Sequence, residues 1–359
     1  MGKRTIVPFG PQHPVLPEPL QLRLVLEDEK VVEAIPAIGY VHRGLEKLAE
    51  EKDINQNIYV VERVCGICSF QQALAYCQGI EELMGIEVPD RAKYLRVIWA
   101  ELHRLHSHHL WLGLLADAFG FESLFMQCWR NRELVMDLME ATAGSRVIIS
   151  TNIIGGVRRD IDADKQKFIL DNLAKLEEEL KKIEGSFLND YTVKKRLVGV
   201  GVLSKQEAYE LGCVGPMARA SGISMDLRTL GYAAYGELDF EPVVENDGDC
   251  YARLKVRLRE CYQSIDLIRQ AIFKMPEGEI STPVKGFPNG EVISRVEQPR
   301  GEDVYYIKAN GTKNLERLRI RTPTFANIPA LVKMLQGVDF ADVPMLVLTI
   351  DPCISCTER

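Results

Sequence analysis

The chain has 359 residues, 46% of them hydrophobic and 26% charged, so it can bury a large core and reads as an ordinary globular protein of one or two domains. Disorder, fibrous repeats and a disulfide-stapled miniature scaffold are excluded, and the nine cysteines must be read for chemistry or packing. A formal net charge of -7 offers no basic field for phosphate backbones, which argues against a nucleic-acid partner.

The opening, Met1 to Pro11, meets proline at Pro8 and Pro11 and lacks the apolar stretch of a secretory leader. Gln21–Leu26 and Val31–Ile35 then alternate apolar and polar residues around Glu27–Lys30, the pattern of a half-buried hairpin. From Gly44 to about Gly144 good helix formers dominate. Pro89-Asp90 supplies a break and an N-cap before a long helix running from Arg91 toward Gly113. The best apolar run, His109 to Phe121, is broken by Asp117 and falls short of the roughly 18 residues of a membrane span. A cytoplasmic chain with reduced thiols is expected, one that reaches a membrane only by docking to another subunit.

Ala163 to about Ile183 places Ile169, Leu173, Leu176, Leu180 and Ile183 on one helical face, with a solvated Lys/Glu face opposite. Asp249 to about Lys274 repeats the pattern with Leu254, Leu258, Cys261, Ile265 and Ile268. Beyond Pro276 short runs take over: Asp303–Lys308 and Leu315–Arg321 flank the turn signal Asn310-Gly311 and predict a second small sheet. Ala326 to Gln336 reads as a short helix, and Met345–Ile350 as a buried strand or helix leading to the last nine residues. The expected fold is α+β, a central helical bundle with small antiparallel sheets from both terminal parts. Three regions are expected within one integrated domain: a β-sheet region over residues 1–43, a helical core over 44–275, and a mixed β/α region over 276–359.

The chemistry lies in two C-x-x-C pairs, Cys65-Gly-Ile-Cys68 and Cys353-Ile-Ser-Cys356. Two intervening residues let both sulfurs of a pair turn to one centre, and four thiolates suit a soft or borderline metal. Spacing alone leaves structural zinc and an iron-sulfur cluster both open. Zinc ribbons, however, join pairs only about 15 to 20 residues apart. Pairs at opposite ends of a chain predict a site deep in the fold. Cys77, Cys128, Cys213, Cys250 and Cys261 are scattered singly and read as packing. His103, His106, His108 and His109 lack an accompanying Glu-x-x-His and read as structural or surface histidines.

Arg63-Val-Cys65-Gly-Ile-Cys68 and Asp351-Pro-Cys353-Ile-Ser-Cys356-Thr-Glu-Arg359 resemble the paired nickel-binding motifs of nickel-iron hydrogenase large subunits. The chain is most similar to the group 4 energy-converting type, the Ech and CO-induced hydrogenases. The resemblance runs through Gly10–Pro14, His42–Glu46, Gly155–Asp160, Asp239–Pro242 and Pro299–Glu302. The quinone-site 49 kDa subunit of respiratory complex I is similar over most of the same length. It lacks the intact four-cysteine set and reads Thr-His-Gly after Gln-His-Pro, where this chain has Val15–Pro19.

The resemblance implies a nickel-iron centre held by Cys65, Cys68, Cys353 and Cys356. Cys68 and Cys356 would bridge to an iron carrying carbon monoxide and cyanide, and Cys65 and Cys353 would be terminal on nickel. It implies heterolytic cleavage of hydrogen and its reverse, with the Cys353 thiolate taking the proton and Glu18 relaying it toward solvent. Read without the resemblance, Glu18 is a surface glutamate between two prolines. Arg300, paired with Asp351, would overhang the open metal position. Pro323-Thr324 would supply a hydroxyl to a cyanide. Glu46 matches a glutamate that binds a second-sphere magnesium or iron in many hydrogenases, but its usual C-terminal histidine partner is replaced here by Thr357-Glu-Arg359. Most nickel-iron large subunits of the kind resembled are made with a C-terminal extension that is later removed, so here the extension is expected to be either natively absent or already removed.

With no ferredoxin-type cysteine cluster of its own, the chain is expected to need a small subunit carrying 4Fe-4S clusters. Ferredoxin, further soluble electron-transfer subunits and membrane ion-translocating subunits are implied by the resemblance alone. So is a peripheral place on the cytoplasmic side of the cell membrane, with hydrogen production from reduced ferredoxin as the favoured direction. The rival readings are a complex I-like quinone-site or structural subunit without hydrogenase activity, and a free-standing zinc-stabilised interaction protein.

Overall fold

The computed structural model describes residues 4–118 and 120–359. Strands β1 (Arg4–Phe9), β2 (Gln21–Glu27) and β3 (Lys30–Ala37) form an antiparallel sheet in the order β1-β2-β3. Asp28 and Glu29 close the expected β2–β3 hairpin in positive-φ conformations (51° and 69°), the geometry a two-residue hairpin needs to match strand twist. β1, which contains Pro8, was not expected. It pairs along one side of β2 only, the edge position where a strand proline is tolerated.

The helical core follows: α1 (Leu45–Glu51), α2 (Gln56–Glu62), α3 (Ser69–Met84), α4 (Asp90–Ala118) and α5 (Glu122–Ala143). α4 begins at Asp90 itself, so that residue lies in the first turn rather than at the cap. Buried residues surround α4 on nearly every side, Trp99, Trp111, Arg96 and Arg104 among them, because α3, α5 and the later helices pack around it. A helix buried all round shows little amphipathic pattern, so the helix expected from Arg91 toward Gly113 rested on its helix formers and its start signal, and it runs five residues further, to Ala118.

A two-residue ladder joins β4 (Asn152–Ile153) to β5 (Gly156–Val157). Helix α6 (Ala163–Asn189) follows, its N-cap Asp162 accepting from the Lys165 N–H and its predicted apolar residues all buried. Short helices α7 (Tyr191–Leu197), α8 (Lys205–Glu210) and α9 (Pro216–Arg219) lead to α10 (Cys250–Lys274), capped by Asp249. The second sheet has the order β6 (Asn289–Gln298), β7 (Gly301–Asn310), β8 (Leu315–Arg321). β7 and β8 pair as expected around Asn310-Gly311, and β6 adds a strand that the exposed polar residues at its start concealed. The chain closes with α11 (Pro323–Met334), α12 (Val343–Thr349) and α13 (Ile354–Glu358). The Met345–Ile350 run thus resolves as helix.

The fold class is α+β as expected. The main buried apolar core runs from Phe9 through Cys356 and draws on all three expected regions, with a small second cluster of Ala220, Val243, Ala252 and Val256 beside it. Among the described residues no helix is long and apolar enough to cross a membrane.

Candidate metal centre

Cys65 lies in the loop after α2, Cys68 at the N-cap of α3, Cys353 at the N-cap of α13 and Cys356 within it. Each pair turns inward because the first sulfur of the motif accepts backbone N–H groups from inside its own turn. Ile67 N–H donates to Cys65 Sγ at 3.2 Å, and Cys356 N–H to Cys353 Sγ at 3.4 Å. Cys68 is itself the N-cap residue of α3, the end of a helix that favours negative charge.

The two pairs meet. Cys65 and Cys353 Sγ are 3.3 Å apart and Cys68 and Cys356 Sγ 3.4 Å apart, all four buried and none in a disulfide. Hydrogen bonds from Cys353, Cys356 and Cys68 hold the Cys65 thiol well below the ordinary thiol range, whereas burial pushes Cys68 and Cys356 well above it. A cluster that cannot ionise fully by itself is completed by a cation, which draws the remaining protons off as it binds. Four convergent, buried sulfurs therefore fit a thiolate-bound metal centre.

Arg300 sits in the turn between β6 and β7 and is 4% exposed. That turn is pressed onto the loop before α9. A Cβ on Gly301 (φ +130°) would lie 2.7 Å from the Gly215 nitrogen, so the backbones approach as only glycine allows. Arg300 Nη2 is 2.7 Å from Asp351 Oδ1, its Nε donates to the Asp351 carbonyl at 2.9 Å, and its Nη1 donates to Ser107 Oγ at 3.3 Å. Burial alone would lower its pKa, but Asp351 first, and then the cysteine cluster, hold it well above the usual range. Asp351 itself is left-handed (φ 55°), a conformation costly outside glycine and fixed here by both Arg300 contacts.

Thr324, buried in the first turn of α11 after Pro323, accepts the Cys353 N–H at 3.2 Å and keeps its own hydroxyl proton free to donate. Glu18 accepts the Ser355 N–H at 2.8 Å and the Ser355 hydroxyl, so its carboxylate is seated on the second cysteine turn rather than loose on the surface. It also borders a surface cleft of about 420 Å³ formed by the Pro11–Pro19 loop.

The Glu46 carboxylate accepts the Ile320 N–H and Arg359 Nε, both at 2.9 Å, and lies 3.3 Å from Arg319 Nη1, so two guanidinium groups face it where the resemblance implies a second-sphere ion.

Sequence reading missed Ser107, Gln72 and Tyr305. Gln72 Nε2 lies 3.8 Å from Cys68 Sγ and 3.9 Å from Cys356 Sγ, and Tyr305 Oη donates to Gln72 Oε1. Gln72 stands one helical turn past Cys68 on α3, a spacing that could have marked it. Ser107 and Tyr305 carried no local signal. The four histidines of α4 are all buried, and His108 Nε2 pairs with Glu260 at 2.8 Å. The five single cysteines are buried in packing positions.

Residues 43–117 match the nickel-dependent hydrogenase family, and residues 118–287 and 282–359 match the 49 kDa subunit of the respiratory-chain NADH dehydrogenase. The chain is 43% identical to the carbon monoxide-induced hydrogenase of Rhodospirillum rubrum, over 98% of this chain and 99% of that one. It is 41% identical to the membrane-bound hydrogenase subunit alpha of Pyrococcus furiosus, over 98% and 87%. Among solved structures, a chain of the membrane-bound sulfane sulfur reductase, an archaeal respiratory membrane complex, superimposes with a TM-score of 0.94 at 33% identity, covering 99% of this chain and 98% of that one. The chain belongs to the family that unites the large subunits of energy-converting nickel-iron hydrogenases with the 49 kDa subunit of respiratory complex I.

Proposed function

We propose that this protein is the catalytic subunit of a membrane-associated energy-converting nickel-iron hydrogenase. In this reading it interconverts hydrogen with protons and electrons, exchanges the electrons with ferredoxin through an iron-sulfur small subunit, and is coupled to ion translocation. The observation that carries the reading is the convergence of both C-x-x-C pairs in one buried cluster beside the Arg300–Asp351 pair.

Cys65, Cys68, Cys353 and Cys356 would hold the nickel-iron centre, which when bound supplies the two-electron exchange with hydrogen. The chain's own residues handle the proton and the shape of the site. The Cys353 sulfur takes the proton; its turn is held by Thr324 on the Cys353 N–H and by Glu18 on Ser355. Glu18 passes the proton toward the cleft that its loop borders. Arg300, fixed by Asp351 and Ser107, presents a cation that needs no reorganisation when charge develops. Thr324 and Pro323 place a free hydroxyl donor beside the second cysteine turn. In this reading the partners are an iron-sulfur small subunit, further soluble electron carriers and membrane subunits, on the cytoplasmic side of the membrane; similarity to subunits of membrane-bound complexes supports a membrane assembly.

A second reading, a quinone-site or structural subunit without hydrogen turnover, draws on the 49 kDa match over residues 118–359 and on the sulfur-reducing complex that shares the fold. The test is hydrogen turnover and deuterium–proton exchange by the purified native complex. The proposed function predicts both, and their loss in Cys353→Ser. Quinone reduction with neither hydrogen activity would establish the second reading instead.

A further inference from the structure

The loop between β3 and α1 contains Arg43, whose guanidinium reaches backbone carbonyls in three separate parts of the chain. Nε donates to the Val41 carbonyl of its own loop at 3.1 Å. Nη1 donates to the Arg63 carbonyl at 2.7 Å, and Nη2 to the Val64 carbonyl at 3.0 Å, the two residues that lead into Cys65. The same Nη2 donates to the Ser355 carbonyl at 2.9 Å, inside the second cysteine turn. One planar fork thus binds both cysteine motifs through their backbones, although the motifs are 288 residues apart in the chain. Ser355 is consequently held from two directions, its N–H and hydroxyl by Glu18 and its carbonyl by Arg43.

We propose that Arg43 is a positioning residue that locks the two cysteine pairs in register, so that the four sulfurs are organised before a metal arrives. Three features favour this over an ordinary surface arginine. Its donors are spent on carbonyls rather than on a carboxylate. Those carbonyls belong to the turns that aim the sulfurs, and a rigid five-donor fork satisfies divergent acceptors that a lysine ammonium cannot reach together. Arg300, by contrast, acts on the thiolates directly by charge. Backbone anchorage of this kind is an outer-shell contribution to a metal site, where loss of a partner typically weakens metal binding by about 10- to 100-fold.

The proposal rests on the four-thiol site but not on its redox chemistry, so the test uses cadmium, which reports thiolate ligation without any nickel-iron assembly. The full-length, metal-free chain is titrated with cadmium under reducing conditions, with the sulfur-to-metal charge-transfer absorption as the readout. Far-UV circular dichroism and thermal melting monitor the fold. Arg43→Met should fold with the wild-type spectrum yet bind cadmium about 10- to 100-fold more weakly. Arg43→Lys, which keeps the charge but not the fork, should resemble Met. Wild-type affinity in Arg43→Met would overturn the proposal, as would full rescue by Arg43→Lys, since charge alone would then account for the effect. Cadmium binding by the wild-type chain together with absent hydrogen turnover in the native complex would refute the proposed hydrogenase function while leaving the role of Arg43 intact.

Discussion

At the residue scale, Glu18 and Arg300 serve the cysteine cluster by different physics. Glu18 holds Ser355 as a hydrogen-bond acceptor and offers a titratable oxygen near the surface cleft. Glu18→Gln keeps an acceptor of the same shape but cannot carry a proton. Metal content should stay at the wild-type level while deuterium–proton exchange falls by about 10²-fold or more, the usual worth of a positioned acid-base group; unchanged exchange would remove Glu18 from the proton route. Arg300 satisfies the Asp351 carboxylate, the Asp351 carbonyl and Ser107 at once. Arg300→Lys can meet only part of that set and releases Asp351 from its left-handed conformation. Turnover should drop by about 10²-fold with the metals retained, in line with loss of one preorganised donor. Both residues were picked out by the family resemblance, Arg300 within Pro-Arg-Gly and Glu18 only by its position between two prolines. Ser107 and Tyr305 were not, since their role depends on which helix or strand the fold lays beside the cysteines, and no local spacing encodes that.

At the scale of elements, α4 organises the molecule and carries four histidines in its buried length. His109 Nδ1 faces the Leu105 carbonyl at 2.8 Å and its Nε2 faces Asn131 Nδ2 at 3.0 Å, an arrangement that suits the neutral ring with its proton on Nδ1. Burial lowers its pKa to about 4 from 6.5. The unfolded chain therefore takes up a proton first as the solution is acidified. The stabilising effect is complete above about pH 6.5 and is lost as pH falls through about 4, amounting to about 3 kcal/mol by the end of that window. Urea unfolding of His109→Gln should show a correspondingly shallower fall in stability between pH 7 and 4, whatever its stability at pH 7. A slope identical to wild type would mean that His109 is charged in the native helix. The elements themselves were legible where one face is wet. α6 and α10 appeared from their three- and four-residue spacing, and the β2–β3 and β7–β8 hairpins from alternation around turn residues. β1 and β6 were hidden because proline in one and exposed polar residues at the start of the other break the strand pattern.

At the scale of the whole molecule, the C-terminal part of the chain folds back on the helical core so that its cysteine pair completes one cluster with the pair between α2 and α3. That closure could be expected from the cysteine pairs, because four thiols in two distant motifs make chemical sense only together. What surrounds Glu46 was not legible, because Arg319 and Arg359 reach it from a strand and from the last residue of the sequence. Kinship with both hydrogenases and complex I subunits means that the fold alone does not choose between hydrogen chemistry and quinone chemistry. The choice lies in what the four sulfurs hold. The most direct measurement is the nickel, iron and zinc content per chain, by elemental mass spectrometry, of the complex purified from its native host. The proposed function predicts nickel close to one per chain, together with iron. Zinc, or no metal, in a fully assembled complex would contradict it.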